Sequence, residues 1–211
     1  MAFAEGLVAR VEMLLAGTDR RVLIGVAGAP GAGKTTLAEL LVARLGGFPR
    51  AAHVPMDGFH LAKVELERLG RADRMGAPDT FDVDGYAVLL HRIRRGQAVW
   101  APSFERTLEQ PLAQAIPVLA DTRVVVSEGN YLLLPEAEWR VVRAQFDEVW
   151  FCHVNAAERL RRLIARHVAF GKSREEAREW VLRSDERNAE LVAATADAAD
   201  LIVDVDLLGL D

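Results

Sequence analysis

One short stretch constrains this chain more than any other: Gly28-Ala29-Pro30-Gly31-Ala32-Gly33-Lys34-Thr35-Thr36. It follows the pattern Gly-x4-Gly-Lys-[Ser/Thr]. Before it, Val22 to Ala27 is a β-rich apolar run of the kind found in a buried parallel strand. After it, Leu37, Leu40, Leu41 and Leu45 recur at i, i+3, i+4 and i+8, and Gly46-Gly47 supplies a helix stop. The glycines leave room for successive backbone N–H groups to point inward, and together with the helix N-terminus they make a cradle for phosphate oxygens. In such a loop Lys34 reaches the outer phosphates and the Thr35 hydroxyl ligates Mg²⁺.

The 211 residues suit one α/β domain, expected to span 1–211. With 51% apolar and 27% charged residues the chain can bury a core. A net charge of −5 argues against a nucleic-acid surface. Cys152 is the only cysteine, so no intramolecular disulfide framework is possible. Met1 to Ala16 lacks the basic start and small-residue cleavage site of a leader peptide. Leu7, Val8, Val11, Leu14 and Leu15 instead mark an amphipathic helix that packs on the domain. No run approaches the ~18 apolar residues that span a bilayer, so a cytoplasmic protein without a membrane partner is expected. Nothing specifies an oligomeric state.

Taken in order, Ala51 to Pro55 reads as a second strand ending at Met56-Asp57-Gly58-Phe59-His60, and Leu61 to Leu69 as a helix. Val83 to Arg95 is helical again, and Trp100 to Pro117 is a loop or short hairpin over the active face. Arg123 to Ser127 and Glu148 to Val154 are further strands, separated by a helix with Pro135 at its first position. Asn155 caps a helix through Val168, Ser173 caps another to about Ala194, and Leu201 to Val205 is the last strand. The alternation implies a doubly wound parallel sheet of about five strands with helices on both faces.

Two carboxylates stand at strand ends, where open α/β sheets bind ligands. Asp57 follows the second strand, and phosphoryl transfer needs a residue that orients the acceptor hydroxyl and takes its proton. Glu128 follows Val124-Val125-Val126-Ser127 and can hold Mg²⁺, which prefers hard oxygen ligands. Arg159, Arg162 and Arg166 share one helical face by their i, i+3, i+7 spacing, and Gly171-Lys172 closes that stretch. Such a face can fold over ATP and neutralise charge on the transferred phosphoryl. Asp185 and Asn188, three apart on one face, can bind an acceptor hydroxyl. The five histidines do not form a metal spacing.

With the loop, Met56-Asp57-Gly58-Phe59 makes the chain resemble the kinase family of uridine kinase, pantothenate kinase and phosphoribulokinase. Asp57-Gly58-Phe59 through Gly76-x-Pro78-Asp79-Thr80-Phe81-Asp82 resembles bacterial pantothenate kinase. Arg162 to Lys172 is similar to the arginine-rich lid of uridine kinase. A bacterial subgroup named for fructose transport system kinases resembles nearly the whole chain, including Pro102-Ser103-Phe104-Glu105-Arg106 and Glu109-Gln110-Pro111. The resemblance implies a P-loop NTPase fold, ATP and Mg²⁺, Asp57 as base, and Glu128 with Thr35 on the metal. It also implies that Lys34, Arg162 and Arg166 act in catalysis, that Lys172 closes a lid over 159–173, and that Phe59, Arg106, Asp185 and Asn188 lie on the acceptor side. The chain departs from the family at Gly76-Ala77, where uridine kinases carry Asp-His. His167 and Phe170 replace an aspartate and an arginine of the lid, and Ser103-Phe104-Glu105 replaces the Tyr-Ser-His of pantothenate kinase. The acceptor is therefore not carried over.

These features add up to an ATP-dependent kinase acting on a hydroxyl of a small polar metabolite, nucleoside-like or pantothenate-like first and a sugar second. The alternative is a regulatory module that binds ATP without metabolic kinase activity, against which Asp57 and Glu128 both stand intact. A guanine-specific switch is excluded, because Lys34, Lys63 and Lys172 follow Gly33, Ala62 and Gly171 and so form no Asn-Lys-x-Asp.

Overall fold

The computed structural model describes residues 2–171 and 173–208. A first helix, α1 (Ala2–Ala16), leads to β1 (Val22–Ala27) and α2 (Lys34–Arg44). Next come β2 (Ala51–Pro55), a 3₁₀ turn at Met56–Phe59, α3 (Lys63–Arg68) and α4 (Val83–Arg94). A hairpin of β3 (Val99–Glu105) and β4 (Gln110–Val118) precedes β5 (Val124–Gly129), α5 (Ala137–Arg143) and β6 (Glu148–His153). The chain ends with α6 (Ala156–Ala169), α7 (Arg174–Trp180), α8 (Glu186–Ala193) and β7 (Leu201–Asp204).

Five strands form one sheet in the order β2-β5-β1-β6-β7, and every neighbouring pair is parallel. The strand alternation divides the core into two layers. Val22, Ile24 and Val26 of β1 face α1 and α2, packing with Leu7, Val11, Leu37 and Leu41. Leu23 and Ala27 face the other way, with Tyr86 and Leu90 of α4 and Trp139 of α5. β1 is buried on both faces, which is why it reads as an unbroken apolar run. The chain leaves β1 toward β2 on one side and later crosses from β5 to β6 on the other. The crevice at that reversal lies beyond the carboxyl end of β1, where the glycine-rich loop begins.

The doubly wound sheet expected from the sequence is therefore present, with differences at its margins. The stretch 100–117 is a two-stranded antiparallel hairpin rather than a loop. Pro135 does not open α5, because Glu136 is the capping residue and the helix begins at Ala137. The helix expected from Ser173 to about Ala194 is present and continuous, but its middle, Val181–Asp185, winds as a π-turn between α7 and α8. Asn155 and Ser173 cap as expected, with side chains accepting from Ala157 N and Glu176 N. Among the described residues no helix is long and apolar enough to cross a membrane.

Arg21 holds this frame together from its buried position just before β1. Its guanidinium donates to the carbonyls of Thr122 at 2.8 Å, Ile93 at 2.8 Å, Leu119 at 2.6 Å and Gln97 at 3.2 Å. These carbonyls lie at the C-terminal end of α4 and in the turn from β4 to β5, where orphan acceptors welcome a cation. A buried charge solvated by carbonyls leaves several unpaired acceptors when it is removed. Arg21→Met should therefore cost about 3 kcal/mol in urea-induced unfolding. Arg21→Lys should recover little of that, since one ammonium cannot reach all four carbonyls. A loss below ~1 kcal/mol for Arg21→Met would contradict this bracing role.

Candidate active site

The loop after β1 is built on backbone that favours glycine. Gly31 and Gly33 have φ of 79° and 83°, both left-handed, and Gly33 sits at the start of α2. A Cβ on Gly31 would come within 2.7 Å of Leu163 Cγ and 3.1 Å of the Arg159 carbonyl, so α6 lies directly against the loop. Pro30 lines the cleft, whereas the Ala32 side chain turns into the core. Gly28 and Ala29 join β1 to the loop, and Ala29 offers its carbonyl to Lys34 Nζ at 3.0 Å. Burial lowers the pKa of Lys34, with Glu128 the largest opposing influence. Thr36 is exposed on the first turn of α2.

Thr35 Oγ1 donates to Glu128 Oε1 at 3.0 Å, tying α2 to the end of β5. Glu128 is buried, and its pKa is raised first by that burial and then by the charge of Asp57. Lys34 and the Thr35 hydroxyl pull the other way. The Glu128 carboxylate and the Thr35 hydroxyl thus stand together beside a phosphate cradle. Their hard oxygens, and the unfavourable burial of a negative charge at Glu128, fit a divalent cation such as Mg²⁺.

Asp57 lies in the 3₁₀ turn after β2, and its Oδ2 accepts from Arg106 Nη2 of the hairpin at 3.2 Å. Glu109, also in the hairpin, reaches Lys63 of α3 at 3.0 Å. The hairpin tip is thereby drawn over one end of the cleft by two exposed ion pairs, each worth about 0–1 kcal/mol.

Helix α6 forms the opposite wall. Arg159 is buried, pairs with Glu186 and points Nη1 at the Pro30 carbonyl at 3.5 Å. Arg162 pairs with Glu158 at 2.7 Å, and its Nη1 stands 3.7 Å from where a Gly33 Cβ would be. Arg166 lines the cleft, and its guanidinium makes no hydrogen bond or ion pair among the described residues. Burial depresses its pKa, and the positive charge of Arg106 adds to that effect. His167 Nε2 lies 3.0 Å from Asp185 Oδ2 in the π-turn, which links α6 to the helix that carries Asn188.

These elements enclose a cleft of about 470 Å³. Lys34, Thr35, Asp57, Arg106, Glu128, Arg166, Asp185 and Asn188 all line it. Phe59 does not line the cleft. The turn directs it into the core, 4.8 Å from the Tyr86 ring, and presents its neighbour His60 instead. Arg162 stands beside the loop rather than in the cleft wall, and Lys172 lies outside the described residues. The sequence reading passed over His60, Phe104, Asn130 and Trp180, all of which line the cleft. Asn130, two residues beyond Glu128 at a strand end, and Phe104, in the Pro102-x-Phe segment, carried local signals.

A strand–loop–helix phosphate cradle, strand-end carboxylates and an arginine-bearing wall around one cleft define a P-loop phosphotransferase. The family profile for phosphoribulokinase and uridine kinase matches residues 23–206, and the chain belongs to that family. It is a small-molecule kinase. An Escherichia coli (strain K12) protein of uncharacterised function, YggC, is 33% identical over 89% of this chain and 79% of its own length. A Schizosaccharomyces pombe protein provisionally named a uridine kinase is 32% identical, covering 88% of this chain and 83% of its own. The crystal structure of a protein from Silicibacter sp. TM1040, provisionally named a fructose transport system kinase, superposes with a TM-score of 0.83 at 36% identity. That match covers 93% of this chain and 98% of the other.

The fit of α6 against the loop gives a test of the cradle. Gly70→Ala, at φ 65° with nothing within 4 Å of the added Cβ, should cost only the left-handed backbone penalty of roughly 1–2 kcal/mol. Gly31→Ala should cost about 2 kcal/mol more, because Leu163 and Arg159 must shift as well. Only Gly31→Ala should weaken Mg·ATP binding in calorimetry. Equal costs and equal affinities would mean that α6 does not press on the loop.

Proposed function

We propose that this protein transfers the γ-phosphoryl group of ATP, with Mg²⁺, to a hydroxyl of a small polar metabolite. The acceptor is a nucleoside-like or pantothenate-like alcohol first and a sugar second. One observation carries this reading. Asp57 and Glu128 reach the same cleft from separate strand ends, Glu128 bonded to Thr35 at the start of α2 and Asp57 to Arg106 of the hairpin. The loop from Gly28 to Thr36 receives the phosphates, and Lys34 lies against them. Thr35 and Glu128 would hold the cation, which would supply charge neutralisation to the phosphate oxygens.

The chemistry asked of the chain is positioning and charge neutralisation. Asp57 accepts the proton of the acceptor hydroxyl as that oxygen bonds to the γ-phosphorus. The bond from phosphorus to the bridging oxygen breaks, and ADP leaves with the electron pair. Arg106, freed from Asp57, turns to the acceptor together with Asp185 and Asn188. Residues 159–173 act as a lid: Arg166, whose guanidinium pairs with no described residue, and Arg162 beside the loop neutralise the transferring group, and Lys172 closes the segment. The wall of His60, Phe81 and Phe104 suits an acceptor with a flat or apolar portion.

ADP release measured over a panel of nucleosides, pantothenate-like alcohols and sugars tests the reading directly, and release that no acceptor stimulates would overturn it. Asp57→Asn should slow transfer by roughly 10²–10⁴ while leaving ATP affinity intact. Full turnover in that variant would place the base elsewhere. Glu128→Gln should instead raise the Mg²⁺ concentration needed for half-maximal rate. Arg166→Ala should lower kcat by roughly 10²-fold with a smaller rise in KM for ATP, the mark of a contact made mainly in the transition state. A near-normal kcat would leave α6 as packing alone.

A further inference from the structure

His60 is the group in the outer cleft whose chemistry the proposed reaction leaves unused. It follows the turn that carries Asp57 and is fixed in several ways. Its backbone N–H and its ring Nδ1 both meet the carbonyl oxygen of Asp57, at 3.2 Å and 2.8 Å. Its ring packs between Phe81, 4.1 Å away, and Phe104, 4.8 Å away. The turn is pinned to the following segment by Leu61 N donating to Thr80 O at 2.9 Å and Asp82 N donating to Phe59 O at 2.8 Å. The ring can therefore neither swing away nor flip without losing these contacts.

The tautomer follows from the partner. A carbonyl oxygen only accepts, so Nδ1 must carry a proton. Burial pushes the pKa of the ring down, and Arg106 adds to this while Asp57 opposes it. The imidazole is then neutral near pH 7, and Nε2 is a lone-pair acceptor. No described residue donates to Nε2, and His60 lines the cleft. We infer that His60 selects the acceptor: with Nδ1–H committed to the Asp57 carbonyl, its Nε2 accepts a hydrogen bond from a second hydroxyl of the substrate, close to the hydroxyl presented to the Asp57 carboxylate.

This rests on the kinase reading above and narrows it. The favoured acceptor is a polyol with two hydroxyls within a few atoms of one another, and a substrate carboxylate is refused at Nε2 because both partners would be acceptors. The arrangement also couples recognition to chemistry, since the same imidazole fixes the backbone of the residue proposed as base.

The test uses matched acceptors with the intact protein: uridine against 3′-deoxyuridine, pantothenate against its 2-deoxy analogue, and ribose against 2-deoxyribose. For the pair that is turned over, kcat/KM should favour the compound with the second hydroxyl by about 10–100-fold, the effect of leaving a site acceptor unmatched. His60→Asn keeps an N–H near the Nδ1 position but has no acceptor at Nε2, so it should reduce that preference to within about 3-fold. Histidine ¹⁵N NMR of the wild type, with His60 assigned by its absence in the variant, reads the tautomer without relying on activity. It should show Nδ1 protonated and Nε2 bare, with the Nε2 resonance moving for the full acceptor and not for its deoxy partner. Equal turnover of both members of a pair, or a proton on Nε2, would overturn the His60 assignment and leave the kinase reading standing. Turnover of none of these compounds, or of others in the wider panel, would remove both.

Discussion

Lys34 and Glu128 are held almost out of water at the carboxyl edge of the sheet, and much of the surrounding structure serves to keep them there. Burying charge is costly unless partners are close and correctly placed. The Thr35–Glu128 bond locks the first turn of α2 to the tip of β5, and the Ala29 carbonyl receives the lysine. Burial, and then the nearby charge of Asp57, makes Glu128 harder to ionise. That closeness depends on Gly129, where a Cβ would lie 2.6 Å from Met56. Only a residue without a side chain lets the end of β5 approach the turn that delivers Asp57. The two apolar layers then act as the clamp that stops these strand ends from separating.

What the sequence disclosed was mostly local. The phosphate loop is legible because its glycines, its lysine and both flanks are contiguous, and the strand-end carboxylates are legible because a βα alternation places them. Asn155 and Ser173 announce their helices by caps that need only a few residues. What escaped was set by contacts between distant segments. Arg21 looks like a solvated charge before a strand, yet its partners are carbonyls of α4 and the β4–β5 turn. Phe59 and His60 differ by one position in a turn, and only its winding decides which enters the core. Pro135 is a sound helix starter by type, but the buried run Tyr131 to Leu134 delays α5 past it.

The cleft has two walls of different character. The tip of the hairpin is tied down by exposed ion pairs that contribute little, although its base is anchored in the core by Val99, Ala101 and Val118, whereas α6 is pressed against the loop by Leu163 and the buried Arg159. His60, Phe104 and Arg106 are where this chain differs in kind from a bare phosphate site.

The π-turn between α7 and α8 has a consequence for how the far end of the cleft tolerates change. A π-turn accommodates one residue more than an α-helix of the same rise, and one residue is about 100° of rotation about the axis. Ala177 upstream and Val181 at its first position are buried, and downstream Ala189 and Val192 are buried too. The extra residue resets the phase between those two apolar stripes while aiming Asp185 at His167. A single deletion anywhere in Val181–Asp185 would therefore act like a frameshift in space. The helix would remain a helix, but Asp185 and Ala189 could no longer both keep their bearings, so length here is as closely specified as residue type.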